Sequence, residues 1–227
     1  MIDVLDLRFR WPGAERDCIA IDRLSVAAGS SLFLHGPSGG GKSTLLGLLA
    51  GVLLPGAGRV SLLGTSWATL SGARRDAFRA NHVGYIFQQF NLLPYLSVLD
   101  NVRLPCRFSA RRAQRAGDGA AESLLQRAGL PEAHWRQPAG QLSIGQQQRV
   151  AAARALIGAP GLVIADEPTS ALDEGLRESF MDLLLGACAE HHSALVFVSH
   201  DSRLAARFAR VIDLPALNRA APAGVPA

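Results

Sequence analysis

Residues 31–44 read Ser31-Leu32-Phe33-Leu34-His35-Gly36-Pro37-Ser38-Gly39-Gly40-Gly41-Lys42-Ser43-Thr44, and an apolar stretch continues to Val52. Gly36 to Thr44 fits the pattern G-x-x-x-x-G-K-[ST]. Ser31–His35 before it is strand-like, and 43–52 after it is helix-like. This is the strand, loop and helix context a phosphate-binding loop requires. Glycines let successive backbone N–H groups turn inward and cradle phosphate oxygens without Cβ clashes. The helix start adds partial positive charge. In such a loop Gly36, Ser38, Gly39, Gly40, Gly41 and Thr44 shape the cradle. Lys42 reaches the β- and γ-phosphates, and the Ser43 hydroxyl faces Mg²⁺.

Composition sharpens the reading of Lys42. The chain has 227 residues, 23 of them Lys or Arg, and Lys42 is its sole lysine. The general excess of arginine is consistent with the base composition of a source genome. A compact ammonium kept only in the phosphate loop points to a need that a planar guanidinium would not meet. Apolar residues make up 48% and charged residues 19%, which excludes a disordered chain. The longest apolar run, 45–54, is interrupted by Gly47 and Gly51 and is too short to span a bilayer. The charged N-terminal stretch 1–10 lacks an apolar signal core. Cys18, Cys106 and Cys188 lie far apart in no metal-ligand spacing and read as buried or free thiols in a reducing cytosol.

A phosphate loop of this kind needs a carboxylate at the end of a nearby buried strand. Leu162-Val163-Ile164-Ala165-Asp166-Glu167 supplies one. Asp166 is placed to hold the Mg²⁺ shell, and Glu167 to polarise an attacking water.

With these residues in place, 2–214 resembles the nucleotide-binding subunit of an ATP-binding cassette (ABC) transporter. Leu142-Ser143-Ile144-Gly145-Gln146 resembles the LSGGQ signature, with Ile144 where Gly is commonest. Phe87-Gln88-Gln89 resembles the Q-loop and Ser170-Ala171-Leu172-Asp173 the D-loop. Val198-Ser199-His200-Asp201 resembles the switch-histidine segment, and Trp11 sits where the family stacks a ring on adenine. Alone, Gln88 is an ordinary surface residue, His200 a strand-end histidine and Trp11 half-buried packing. The ordered set carries the resemblance.

The resemblance implies ATP and Mg²⁺ as ligands, with Ser43, Gln88 and Asp166 around the metal. Glu167 is then the general base, and His200 holds the γ-phosphate and the water. It also implies a head-to-tail dimer, in which Ser143, Gly145 and Gln146 of one copy complete the site of the other and Asp173 links the two sites.

Strand-like segments fall at 2–9, 18–26, 31–35, 58–63, 83–87, 161–166, 194–199 and 210–214. Helical patterns fall at 43–52, 71–80, 173–190 and 201–208. The expectation is an α/β P-loop NTPase core with a mainly parallel sheet. The resemblance adds an antiparallel β side sheet, to which the first two strands belong. Strand signals vanish between Gln88 and Leu142, while 97–104, 118–128 and 145–157 look helical. This predicts an inserted α-helical subdomain over about 89–158, within a core of about 1–88 and 159–214. Arg107 to Arg115 reads as a solvated basic loop, with a membrane-facing or partner-facing basic patch as the alternative. Residues 215–227, rich in Ala and Pro, read as a disordered tail.

Two function classes fit such a cassette: a transporter ATPase bound to a separate permease, or a soluble ATPase acting on DNA or ribosomes. The segment between Gln88 and Leu142 holds no heptads and no metal-spaced cysteines, which favours the transporter class and gives no reason to expect nucleic acid. Residues 87–102 resemble the lipoprotein-release and macrolide-export group. In that group the subunit sits on the cytoplasmic face of the cell membrane, and a permease helix would dock near Phe90–Tyr95. A cell-division-type relative that moves no substrate is the alternative. Members of the group commonly add a Gly turn and a further strand after the last one found here, whereas Val211-Ile212-Asp213-Leu214-Pro215 runs straight on.

Overall fold

Strands with no polar face must be covered on both sides, and this chain builds its central layer from such strands. The computed structural model describes residues 1–169 and 174–220. Its strands are β1 (Ile2–Phe9), β2 (Ile19–Val26), β3 (Ser31–His35), β4 (Ala57–Leu62), β5 (Thr65–Ser66), β6 (Val83–Ile86), β7 (Leu162–Asp166), β8 (Ala194–Val198) and β9 (Arg210–Asp213). The α-helices are α1 (Lys42–Leu49), α2 (Gly72–His82), α3 (Val98–Phe108), α4 (Ala110–Ala116), α5 (Ala120–Arg127), α6 (Ile144–Leu156), α7 (Glu174–Glu190) and α8 (Leu214–Leu217).

Five strands form a parallel sheet in the order β6-β7-β8-β3-β9. Leu162 to Ala165 and Ala194 to Val198 are wholly buried within it. The other four form an antiparallel sheet in the order β2-β1-β4-β5. One core, with Leu34, Leu45 and Leu49, fills the space between the two sheets around α1. A second lies on the far face of the parallel sheet, where Phe33, Phe197 and Phe208 meet with ring centroids 5.1–6.0 Å apart.

Helices α3 to α6 lie between β6 and β7 in the chain and share a third core around Val98, Val102, Leu125 and Val150. The insert meets the parallel sheet closely at Gly84. A Cβ there would fall 2.2 Å from the Ala155 carbonyl oxygen, so only glycine admits α6 at this distance. Arg112 closes the same junction. It is 2% exposed and donates to the carbonyls of Val83, Ala155 and Ile157.

Four expectations change. The 58–63 strand joins the side sheet, because the chain turns back after α1 and β4 pairs antiparallel with β1, Ile2 facing Leu62. The basic stretch is not a solvated loop: Arg107 lies in α3, and Ser109 caps α4 by accepting from the Arg112 N–H. Residues 202–207 form 3₁₀ rather than α turns. The tail is ordered at least to residue 220: 214–217 is helical with Leu214 fully buried, and Asn218 bonds Cys18 and Ala20. Residues 221–227 lie outside those described.

Candidate functional site: the phosphate loop and its acidic wall

Three neighbouring strands of the parallel sheet, β7, β8 and β3, end side by side at one edge, and the loops that follow them meet there. Open α/β sheets bind ligands at such strand ends. After β3, Gly39 and Gly41 take left-handed backbone (φ 76° and 90°), and α1 starts at Lys42. Gly41 packs so tightly that a Cβ would stand 2.8 Å from Ile19 Cδ1. Ser38 and Gly39 stand exposed at the rim, and Gly36 and Gly40 are half-buried.

The Lys42 ammonium curls back into this loop. It donates to the Gly36 and Pro37 carbonyls at 2.9 Å each and is only 7% exposed. Ser43 Oγ donates to Asp166 Oδ2 at 3.1 Å. Thr44, next along, hydrogen-bonds the Cys18 thiol, whose pKa burial nevertheless raises.

Asp166 ends β7. Burial raises its pKa, helped by the neighbouring Glu167 charge, while Ser43 and Lys42 pull the other way. Glu167 then takes a left-handed turn (φ 47°), unusual for a residue with a Cβ. Its N–H still donates to the Val198 carbonyl at 3.0 Å, so the strand ladder fixes the turn. The turn sets Glu167 Oε1 2.7 Å from His200 Nε2 and 3.8 Å from Lys42 Nζ. His200 Nε2 also lies 3.3 Å from Lys42 Nζ. The shorter contact assigns the Nε2 proton to the bond with Glu167. Behind His200, Ser199 Oγ accepts from the Asp201 N–H at 3.0 Å, and the Asp201 carboxylate lies 3.0 Å from Arg177 and 2.8 Å from Arg203. The hydrogen bond from Arg203 holds Asp201 below the usual carboxylate range.

The structure therefore gathers Lys42, Ser43, Asp166, Glu167 and His200 into one cluster. Besides the phosphate-loop residues themselves, no hydrogen bond among the described residues joins Gln88, Trp11, Ser143, Gly145 or Gln146 to it. Gln88 is exposed in the loop after β6. Trp11 is 46% exposed, with its ring edge-on to Phe9 at 5.1 Å. Ser143 and Gln146 bond each other in a capping box that opens α6: Ser143 N–H donates to Gln146 Oε1, and Gln146 N–H to Ser143 Oγ. Gly145 sits in the first turn of that helix, beside an exposed Ile144. Asp173 lies outside the described residues.

Sequence reasoning passed over Arg177. It lines a cavity of about 200 Å³ together with Glu167, Thr169, His200 and Asp201. Asp201 follows the histidine directly and was a visible signal. Arg177 belongs to no motif, and only the fold brings it there.

The cluster suits a hard divalent cation. Ser43 and Asp166 present a hydroxyl and a carboxylate oxygen side by side, and two carboxylates face a single ammonium.

Comparison with known proteins fits this geometry. The profile of the ABC transporter family matches residues 21–170. An uncharacterized ABC transporter ATP-binding protein of Escherichia coli K12, YbbA, is 43% identical over 191 residues, covering 84% of this chain and 83% of its own. The lipoprotein-releasing system ATP-binding protein LolD of Hydrogenovibrio crunogenus is 42% identical over 189 residues, covering 83% and 81%. The macrolide export ATP-binding/permease protein MacB of Chromobacterium violaceum is 39% identical over 207 residues, but the match spans only 32% of that longer chain. Among solved structures, the dimeric bacterial ABC transporter cassette MJ0796 superposes with a TM-score of 0.83 at 34% identity, over 94% of each chain. The same cassette bound to ADP and Pi after hydrolysis superposes with a TM-score of 0.84 at 32% identity, over 98% of each. By fold, site and relatives alike, the chain belongs to the ABC transporter family, as an ATP-binding cassette.

Proposed function

We propose that this chain hydrolyses ATP at a site shared between two copies and thereby drives a separate membrane permease of the lipoprotein-release or macrolide-export kind. The observation that carries the proposal is the Glu167 carboxylate, 2.7 Å from His200 and 3.8 Å from Lys42, directly after an Asp166 bonded to Ser43.

Phosphoryl transfer to water needs positioning and charge stabilisation more than covalent help. The N–H groups of Gly39 to Lys42 and the Lys42 ammonium neutralise the phosphates, the ammonium trading its loop carbonyls for phosphate oxygens. Glu167 accepts a proton from the attacking water, and His200 orients Glu167 and meets the γ-phosphate. Trp11 offers its exposed face to adenine. Ser43 and Asp166, with Gln88 swinging in from its loop, would hold Mg²⁺, which when bound offsets the charge of the β- and γ-phosphates. Ser143, Gly145 and Gln146 open α6, whose N–H groups suit the γ-phosphate of the other copy. Asp173 is assigned to the contact between the sites.

Among the described residues no helix is long and apolar enough to cross a membrane; the proposal gives the membrane step to a separate permease. An apolar cavity of about 570 Å³, lined by Val52, Tyr85, Phe87, Pro105 and Phe108 among others, offers a seat for a permease segment. Phe87 and Phe108 are exposed beside it, and Tyr95 is exposed farther along the loop that follows Phe87. Phe90 is removed from the expected docking set: it is buried, with its carbonyl bonded by Arg154. This reading places the subunit on the cytoplasmic face of the cell membrane.

The test is recovery of tagged Glu167→Gln protein from detergent-solubilised native membranes with ATP. A multi-span membrane protein that co-purifies, and is lost with Lys42→Ala, supports the proposal. Ribosomes or DNA-repair proteins in its place would refute the transporter assignment.

A further inference from the structure

β2 is the outermost strand of the antiparallel sheet, so its free side presents backbone groups that need partners. The segment after β9 supplies them. Asn218 Oδ1 accepts from the Ala20 N–H at 2.7 Å, and Asn218 Nδ2 donates to the Cys18 carbonyl at 2.9 Å. The Arg219 N–H donates to the Ala20 carbonyl at 2.8 Å, and its guanidinium pairs with Asp22 at 2.5 Å. One side chain thus grips the backbone on both sides of Ile19.

Ile19 is the residue that packs on the phosphate loop. Its Cδ1 lies 2.8 Å from where a Gly41 Cβ would stand, and the Cys18 carbonyl oxygen lies 3.4 Å from the same point. At the other end of the loop, a Gly36 Cβ would stand 3.1 Å from Pro215 Cδ and 3.3 Å from Leu214 Cβ. The six residues 214–219 therefore brace the first and last glycines of the loop together. They reach the aromatic platform as well, because the Cys18 N–H donates to the Phe9 carbonyl and Phe9 carries the ring of Trp11.

We propose that Asn218 is a positioning residue for the nucleotide. Its two hydrogen bonds to Cys18 and Ala20 hold the start of β2 at the distance that keeps the phosphate loop and the Trp11 platform in register. The inference rests on reading 36–44 as the ATP loop.

The test compares Asn218→Ala with unaltered protein in steady-state hydrolysis of MgATP, with affinity measured by displacement of a fluorescent ATP analogue. Loss of two hydrogen bonds that orient the loop should raise KM and the dissociation constant about 5- to 20-fold, with kcat changed less than about twofold. A uniform loss of folded protein would instead lower kcat and leave KM alone. Asn218→Asp keeps the acceptor for Ala20 and removes the donor to Cys18, and should shift KM in the same direction. Should neither variant fold, amide exchange in the unaltered chain decides: MgATP should slow exchange at Ala20 and Arg219, and unchanged exchange there overturns the proposal. An unchanged KM in a folded variant overturns it too. Lys42→Ala separates the two levels. Should it bind ATP normally, the reading of the loop itself fails. Should it lose ATP while Asn218→Ala keeps the original KM, only the role of Asn218 falls.

Discussion

Replacing Glu167 by Gln removes one charge and keeps shape. The amide still meets His200 across the 2.7 Å contact, so the left-handed turn has no new reason to move. What disappears is the ability to take a proton from water. A positioned general base contributes about 10²–10⁴-fold, so turnover should fall by that factor, or about 3–5 kcal/mol of barrier. Binding should move the other way. Glu167 lies 3.8 Å from the Lys42 ammonium, a gross attraction of about 4 kcal/mol at an effective dielectric constant of 20. Gln lacks that attraction, and it also lacks the repulsion Glu167 exerts on an incoming γ-phosphate. ATP affinity should therefore be retained or increased. The assay is single-turnover hydrolysis of radiolabelled ATP with affinity measured separately. A rate within fivefold of the original, or a large loss of ATP affinity, would refute this role.

Three further outcomes follow from burial and charge. Arg112→Ala leaves three buried carbonyls without their donor and should cost about 3 kcal/mol, which at this chain length lowers the melting temperature by roughly 6–12 °C; a drop under 2 °C in a thermal melt would contradict it. Burial holds the Asp166 pKa above its ordinary value, so stability is lost as pH rises from the ordinary carboxylate range through the raised value; Asp166→Asn should melt higher at pH 7 yet lose hydrolysis, and that gain should vanish in strong acid, where both chains are neutral there. Burial, with Arg115 and Arg111 adding to it, lowers the His82 pKa below about 6.5, so the unfolded chain takes up the proton first and stability falls as pH drops through 6.5; melting curves from pH 7.5 to 5.5 should fall less for His82→Asn than for the original protein.

Local chemistry made the cluster legible. Gly36 to Thr44 and the run ending at Asp166 are contiguous, and each motif carries its own strand or helix context. The parallel strands read equally well, since a run such as Ala194–Val198 is apolar throughout. Relations between distant segments were less visible. Nothing in 58–63 says that it pairs with β1 rather than joining the parallel sheet, because register is fixed by the turn that precedes it. Arg112 looked like one more surface arginine, yet its environment is set by carbonyls more than 25 residues away in sequence. Asn218 lies in a segment whose composition suggested disorder, and its partners Cys18 and Ala20 are about 200 residues earlier. Phe90 was an apolar residue in an apolar loop, and only packing distinguishes core from docking surface.

In the proposed mechanism a second copy of the chain completes the site, with its Ser143 and Gly145 closing on ATP held by Lys42. Sedimentation of Glu167→Gln protein tests it most directly. The expected result is a monomer without nucleotide, a doubling of mass with MgATP, and no doubling when Ser143→Arg is added to the same chain. A species that stays monomeric at saturating MgATP would contradict it, and so would a doubling that survives Ser143→Arg.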